Sequence, residues 1–177
     1  MKYQIHKAVV IGAGTMGAAI AAHLANAGVP VTLLDIAAKE GDKNKIVNEG
    51  WDRCLKAKPA NLMSAELKTF VKLGNLEDDF GAVAEADWIC EAIVENLKIK
   101  QELMVRIDEV RKPTAIVSTN TSGIPVTSIA EGRSKEFKKH FLGAHFFNPP
   151  RYLKLLEVIT TKETDKEVVE FISWFGE

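Results

Sequence analysis

Ala8-Val9-Val10-Ile11-Gly12-Ala13-Gly14-Thr15-Met16-Gly17 runs from four apolar residues into three glycines and on into Ala18-Ala19-Ile20-Ala21-Ala22-His23-Leu24. The order reads as strand, tight turn and helix. Gly12 permits the sharp turn, Gly14 removes a side chain from the helix N-terminus where a pyrophosphate sits, and Gly17 lets helix and strand pack closely. A G-x-G-x-x-G run is weak evidence alone, because glycine-rich turns are common; its test is a second strand that ends in an acid. Val31-Thr32-Leu33-Leu34-Asp35 meets that test. The expected ligand is a dinucleotide, cradled by Gly12, Ala13, Gly14, Thr15, Met16 and Gly17.

Asp35 stands close to the distance at which such a fold sets a carboxylate on the adenosine ribose, where it accepts from the hydroxyls and repels a 2′-phosphate. This favours NAD over NADP. No arginine follows Asp35, and Lys39 opens a polar stretch that reads as a solvated helix face. The competing reading makes Asp35 a cap for the next helix.

A length of 177 residues suits one domain, and a net charge of -1 argues against a nucleic-acid or strongly anionic membrane partner. Cys54 and Cys90 show no paired spacing, so both read as free thiols in a reducing compartment. The longest apolar stretch, Ala18 to Ala27, carries His23 and Asn26 and falls short of the roughly 18 apolar residues that a membrane span needs. The first strand begins within a few residues of Met1, which leaves no room for a signal peptide.

Beyond Asp35, Lys39 to Lys58 carries Ile46, Val47, Trp51 and Leu55 at helical spacing and is expected to be a long amphipathic helix ended by Pro59. Its cations, Lys43, Lys45, Arg53, Lys56 and Lys58, read as a solvated face or as contacts for an anionic substrate tail. A shorter helix is expected from an N-cap at Ser64, then a strand over 71–76. Trp88 to Val94 is nearly all apolar, as in a parallel strand buried on both faces. Glu95 follows it and reads equally as a cofactor neighbour or as a carboxylate at the start of the helix from Leu97 to Val110.

A fifth strand over 115–118 leads into the hydroxyl-rich turn Thr119-Asn120-Thr121-Ser122-Gly123. A short helix is expected over 125–130, a sixth strand over 141–145 that delivers His145 to the same edge, and a seventh over 153–159 bearing Glu157. The turn at Asn148-Pro149-Pro150 would let these last strands run antiparallel and bring Glu157 against His145. A carboxylate there would orient the imidazole and favour its protonated form, as a general base acting on an alcohol requires. Val168, Val169, Ile172 and Phe175 mark a final helix.

Gly12-Ala13-Gly14-Thr15-Met16-Gly17, Glu91-Ala92-Ile93-Val94-Glu95-Asn96, Ser118-Thr119-Asn120-Thr121-Ser122 and His145-Phe146-Phe147-Asn148-Pro149 together resemble the L-3-hydroxyacyl-CoA dehydrogenase family. The resemblance covers nearly the whole chain. It implies an α/β, Rossmann-type, doubly wound and mostly parallel sheet with helices on both faces and an antiparallel pair at the C-terminal end. It also implies NAD-dependent oxidation of (S)-3-hydroxyacyl-CoA to 3-ketoacyl-CoA, the third step of fatty-acid β-oxidation. His145 is then the catalytic base and Glu157 its partner; Ser122 lies near both substrate hydroxyl and cofactor, Asn148 near the nicotinamide, and Glu95 and Lys100 in the cofactor site.

The family continues into a helical second domain that supplies an active-site asparagine, part of the acyl-CoA site and the dimer contact. Residues 1–177 are therefore expected to be an isolated NAD-binding domain, weakly active or inactive alone. In full length, a homodimer or a larger multifunctional β-oxidation assembly is expected, in the cytoplasm or an organellar matrix. The segment from Pro150 to Glu157 and the Trp51 to Phe70 region look more like members fused to an enoyl-CoA hydratase. Two other functions compete: an L-gulonate-type dehydrogenase of the same architecture, and a non-catalytic NAD-binding module.

Overall fold

The computed structural model describes residues 3–177. Seven strands form one sheet in the order β3-β2-β1-β4-β5-β6-β7. These are β1 (Ala8–Ile11), β2 (Val31–Asp35), β3 (Val71–Asn75), β4 (Trp88–Glu91), β5 (Ile116–Thr119), β6 (Phe141–Phe146) and β7 (Leu156–Ile159). The first six run parallel and β7 is antiparallel to β6. The strand order reverses at β1, so β2 and β4 diverge from it and open a crevice at their carboxyl ends.

Alternation along the buried strands divides the core in two. Ala8, Val10, Val31, Leu33, Trp88 and Cys90 face α1 (Thr15–Asn26), α2 (Lys45–Lys56) and α6 (Lys166–Phe175). Val9, Ile11, Leu34, Ile89 and Val117 face α3 (Leu97–Val110), α4 (Val126–Ile129) and α5 (Lys135–Lys139). The alanines of α1 let it lie against the sheet, with Ala18, Ala21, Ala22 and Ala25 wholly buried. Trp88 is also buried because its indole N–H donates to Ser118 Oγ at 2.9 Å.

Four elements differ from the sequence reading. The helix expected from Lys39 begins at Lys45, because Asp42 accepts from the Asn44 N–H and Ala38 donates to the Lys43 carbonyl, closing a turn over 38–43. The segment behind Ser64 is a 3-10 turn, Ala65–Phe70, with no buried side chain to anchor a full helix. The strand from Trp88 ends at Glu91, whose carboxylate turns back to accept from the Ile93 N–H at 2.8 Å. The last strand begins at Leu156 rather than Leu153, since Arg151 ties the preceding turn to the carbonyls of Ala60 and Leu62. The short helix α5 had no expectation at all.

Candidate active site

The three glycines of the first turn do different things. Gly12 has φ +105, and a Cβ on it would stand 2.4 Å from the Ala92 carbonyl oxygen; on Gly17 it would stand 1.7 Å from the Gly12 oxygen. Both are needed for packing. Gly14 is extended and meets nothing within 4 Å, so its missing side chain leaves open space at the start of α1. That helix has no side-chain cap and no acid in its first turn, which leaves its N–H groups for an anion. Gly50 of α2 closes on the loop from the other side, its ideal Cβ position 2.1 Å from the Ala13 carbonyl. The cradle fits a pyrophosphate.

Asp35 accepts from the Ala13 N–H at 2.6 Å and from the Ile36 N–H at 2.7 Å. It does not cap α2, which starts ten residues later at Lys45. Each carboxylate oxygen keeps a second lone pair for a ribose hydroxyl. The carboxylate is thus oriented by the glycine-rich loop itself.

Across the crevice, the ends of β4, β5 and β6 border a cavity of about 500 Å³ that reaches Gly14, Thr15 and Met16 and is lined by Glu95, Lys100, Asn120, Ser122, His145 and Asn148, among others. Glu95 accepts from Thr121 Oγ1 at 2.7 Å and from the Ser122 N–H at 3.2 Å, while Asn96 is the residue that caps α3. Burial disfavours the charged Glu95, yet the Thr121 hydroxyl, the Lys100 ammonium and the Ser122 N–H together lower its pKa. Glu95 thus bridges the β4 end to the β5 end on the cavity wall, one residue before the cap of α3.

His145 projects from β6 and is the register partner of Glu157 on β7. Nδ1 of His145 lies 2.9 Å from Glu157 Oε2, with the imidazole 18% and the carboxylate 51% exposed. In the neutral ring, the tautomer with its proton on Nδ1 donates to this carboxylate and leaves Nε2 with a lone pair. Phe147 packs on the imidazole with ring centroids 4.7 Å apart.

Sequence reasoning missed two parts of the site. Glu91, inside the apolar run, is wholly buried against Lys100, at 2.6 Å. Asn120 Oδ1 accepts from the Phe146 N–H at 2.8 Å and steadies the strand that carries His145. The charge in Trp88-Ile89-Cys90-Glu91 was the available signal for the first; nothing local marks the second. Of the five cations on and around α2, only Arg53 and Lys58 line a cavity of about 290 Å³ that also touches Gly14, Thr15 and Asn148. Lys43 instead pairs with Asp78 and Glu77.

Residues 7–177 match the family model described as "3-hydroxyacyl-CoA dehydrogenase, NAD binding domain". The chain is 50% identical over 192 residues to a "Probable 3-hydroxyacyl-CoA dehydrogenase" of Bacillus subtilis, covering 100% of this chain and 24% of that protein. It is 53% identical over 175 residues to a protein of the same description from Deinococcus radiodurans, covering 98% and 51%. The chain thus spans about a quarter and about half the length of these two relatives. The crystal structure of 3-hydroxybutyryl-CoA dehydrogenase from Escherichia coli superposes with a TM-score of 0.82 at 32% identity, over 98% of this chain and 36% of that one.

Proposed function

Because the chain belongs to the 3-hydroxyacyl-CoA dehydrogenase family, as its NAD-binding domain, we propose that the longer protein carrying it oxidises (S)-3-hydroxyacyl-CoA to 3-ketoacyl-CoA in fatty-acid β-oxidation. The observation that carries this reading is the His145–Glu157 contact at the edge of the cofactor cavity. It favours an enzyme over a non-catalytic NAD-binding module, which has no use for an oriented imidazole there.

Gly12, Ala13, Gly14, Thr15, Met16 and Gly17 would hold the pyrophosphate of NAD, and Asp35 the adenosine ribose. Glu95, Lys100, Ser122 and Asn148 belong to the half of the cavity that would take the nicotinamide end. When bound, NAD supplies the hydride acceptor. Nε2 of His145 takes the proton of the substrate hydroxyl, and Glu157 orients the ring and stabilises the imidazolium that forms. Ser122 orients the hydroxyl, and the aromatic face of Phe147 keeps bulk water from one side of the base.

We assign turnover to the longer protein with its helical second domain, since this chain spans about a quarter and about half the length of the two relatives above. Exposed Tyr152, Leu153 and Leu155 beside the site support a contact with further structure, as in a homodimer or a multifunctional β-oxidation assembly. Among the described residues no helix is long and apolar enough to cross a membrane. Cys54 and Cys90 are free and buried, which suits the cytoplasm or an organellar matrix.

The test is turnover of 3-hydroxybutyryl-CoA and of L-gulonate by the longer protein and its His145→Ala variant. Faster turnover of the thioester, lost in the variant, supports the proposal; preference for the sugar acid, or full activity without the histidine, overturns it.

A further inference from the structure

Beneath the cavity, Glu91 and Lys100 are sealed from solvent, with side-chain exposures of 0% and 1%. The ammonium has three N–H groups and three oxygens around it: Glu91 Oε1 at 2.6 Å, Glu95 Oε2 at 3.3 Å and the Ile93 carbonyl at 3.5 Å. Glu91 also accepts from Thr119 Oγ1 at 2.7 Å and from the Ile93 N–H at 2.8 Å. Every hydrogen-bond neighbour of this carboxylate donates to it. Glu91 is thus the nearest of the three partners of Lys100.

Two carboxylates and one ammonium leave an excess of one negative charge. Glu91 cancels Lys100 inside the protein, and the excess resides on Glu95, the most exposed member at 48%, which lines the cavity together with Lys100. The other titratable group on the cavity wall, His145, is matched by Glu157. Asp35 lies across β1 at the end of β2, so a dinucleotide with its adenosine ribose there directs its nicotinamide to the ends of β4 to β6. The oxidised nicotinamide ring is a cation; the reduced ring is neutral.

We propose that the Glu91–Lys100–Glu95 cluster biases this site toward the oxidised, cationic nicotinamide, with Glu91 as the positioning residue that cancels the lysine charge and leaves that of Glu95 to the ring. This rests on the NAD reading given above. Without Glu91, the ammonium would neutralise Glu95 and the preference would vanish. The low-dielectric floor keeps such a charge difference from being screened away by solvent.

The experiment measures dissociation constants of NADH, by fluorescence, and of NAD⁺, by competition, for the unmodified chain, Glu91→Gln, Glu95→Gln and the double variant Glu91→Gln/Lys100→Met. Glu91→Gln should weaken NAD⁺ relative to NADH on the order of tenfold, equivalent to about 30 mV for a two-electron couple. The double variant restores an excess of one negative charge and should return the ratio to that of the unmodified chain. If Glu91→Gln does not fold, Glu95→Gln, at a half-exposed position, must shift the ratio in the same direction. Equal weakening of both redox forms, or a ratio that stays shifted in the double variant, overturns the proposal while leaving the cofactor assignment intact. Failure of the unmodified chain to bind either form overturns both.

Discussion

His145 and Glu157 oppose each other across an antiparallel ladder, and their side chains meet at 2.9 Å. The register continues on either side, with Ala144 opposite Val158 and Phe146 opposite Leu156, so a ladder rather than a loop fixes that distance. On its other edge β6 outruns β5, whose register ends at Thr119 opposite Gly143. His140 accepts from the Val117 N–H, so Phe146, of the same parity, also points its backbone at β5. The Asn120 side chain supplies the carbonyl that the departed strand does not.

In the longer protein, His145→Ala should lower turnover on the order of 10²- to 10⁴-fold with little change in NADH affinity. Glu157→Gln keeps the shape but replaces the carboxylate that orients Nδ1 of His145, so turnover should fall with NADH affinity unchanged. Full turnover in this variant would mean that the pair is only structural.

Asn120→Ala leaves the Phe146 N–H without its acceptor, in a residue only 8% exposed. Denaturant melts should show a loss of about 1–3 kcal/mol. Asn120→Asp, which keeps an acceptor, should recover much of it.

NADH should bind more tightly than NADPH, because Asp35 faces a 2′-phosphate with like charge. Asp35→Ala should weaken NADH on the order of tenfold and narrow the gap between the two cofactors. It also removes the acceptor of the Ala13 N–H, so proteolysis near the glycine loop should quicken. Fluorescence titration of both nucleotides checks the first part; tighter NADPH binding by the unmodified chain would overturn the assignment.

Gly14→Val should abolish NADH binding with native circular dichroism, since a Cβ there meets nothing in the protein and enters the space assigned to the pyrophosphate. Gly17→Ala should instead cost about 3 kcal/mol or more, because its methyl would collide with the Gly12 carbonyl. The same melts and titrations on both variants separate the two roles.

His23 sits in α1 with Nδ1 buried and unpartnered, and burial lowers its pKa below the ordinary 6.5. As pH falls below 6.5 the unfolded chain binds a proton that the folded one resists. Stability should then drop with a slope of at most about 1.4 kcal/mol per pH unit until the folded-state pKa is passed. His23→Leu should flatten this part of the stability–pH curve. An unchanged slope in urea melts would place the pH sensitivity elsewhere.

The sequence by itself determined the parts of this protein that consecutive residues encode. Four apolar residues, three glycines and an alanine-rich helix specify a strand–turn–helix, and Val31 to Asp35 specifies the neighbouring strand and its terminal acid, because periodicity and glycine sterics act over a few residues. Even the facing of His145 and Glu157 was legible as a possibility, from a proline turn between two apolar runs. Only the tertiary structure decided their register, which depends on how β6 and β7 are each held along their length. The motif already gave the three glycines separate roles, but only the tertiary structure decided what a Cβ on each would touch: Ala92 for Gly12, the Gly12 carbonyl for Gly17, and open space for Gly14. Glu91 and Lys100 are nine positions apart on different elements, and a buried charge is tolerable only when its partner arrives in three dimensions. No local pattern announces that meeting, because its energy comes from excluding water, which happens only when the sheet and α3 close together.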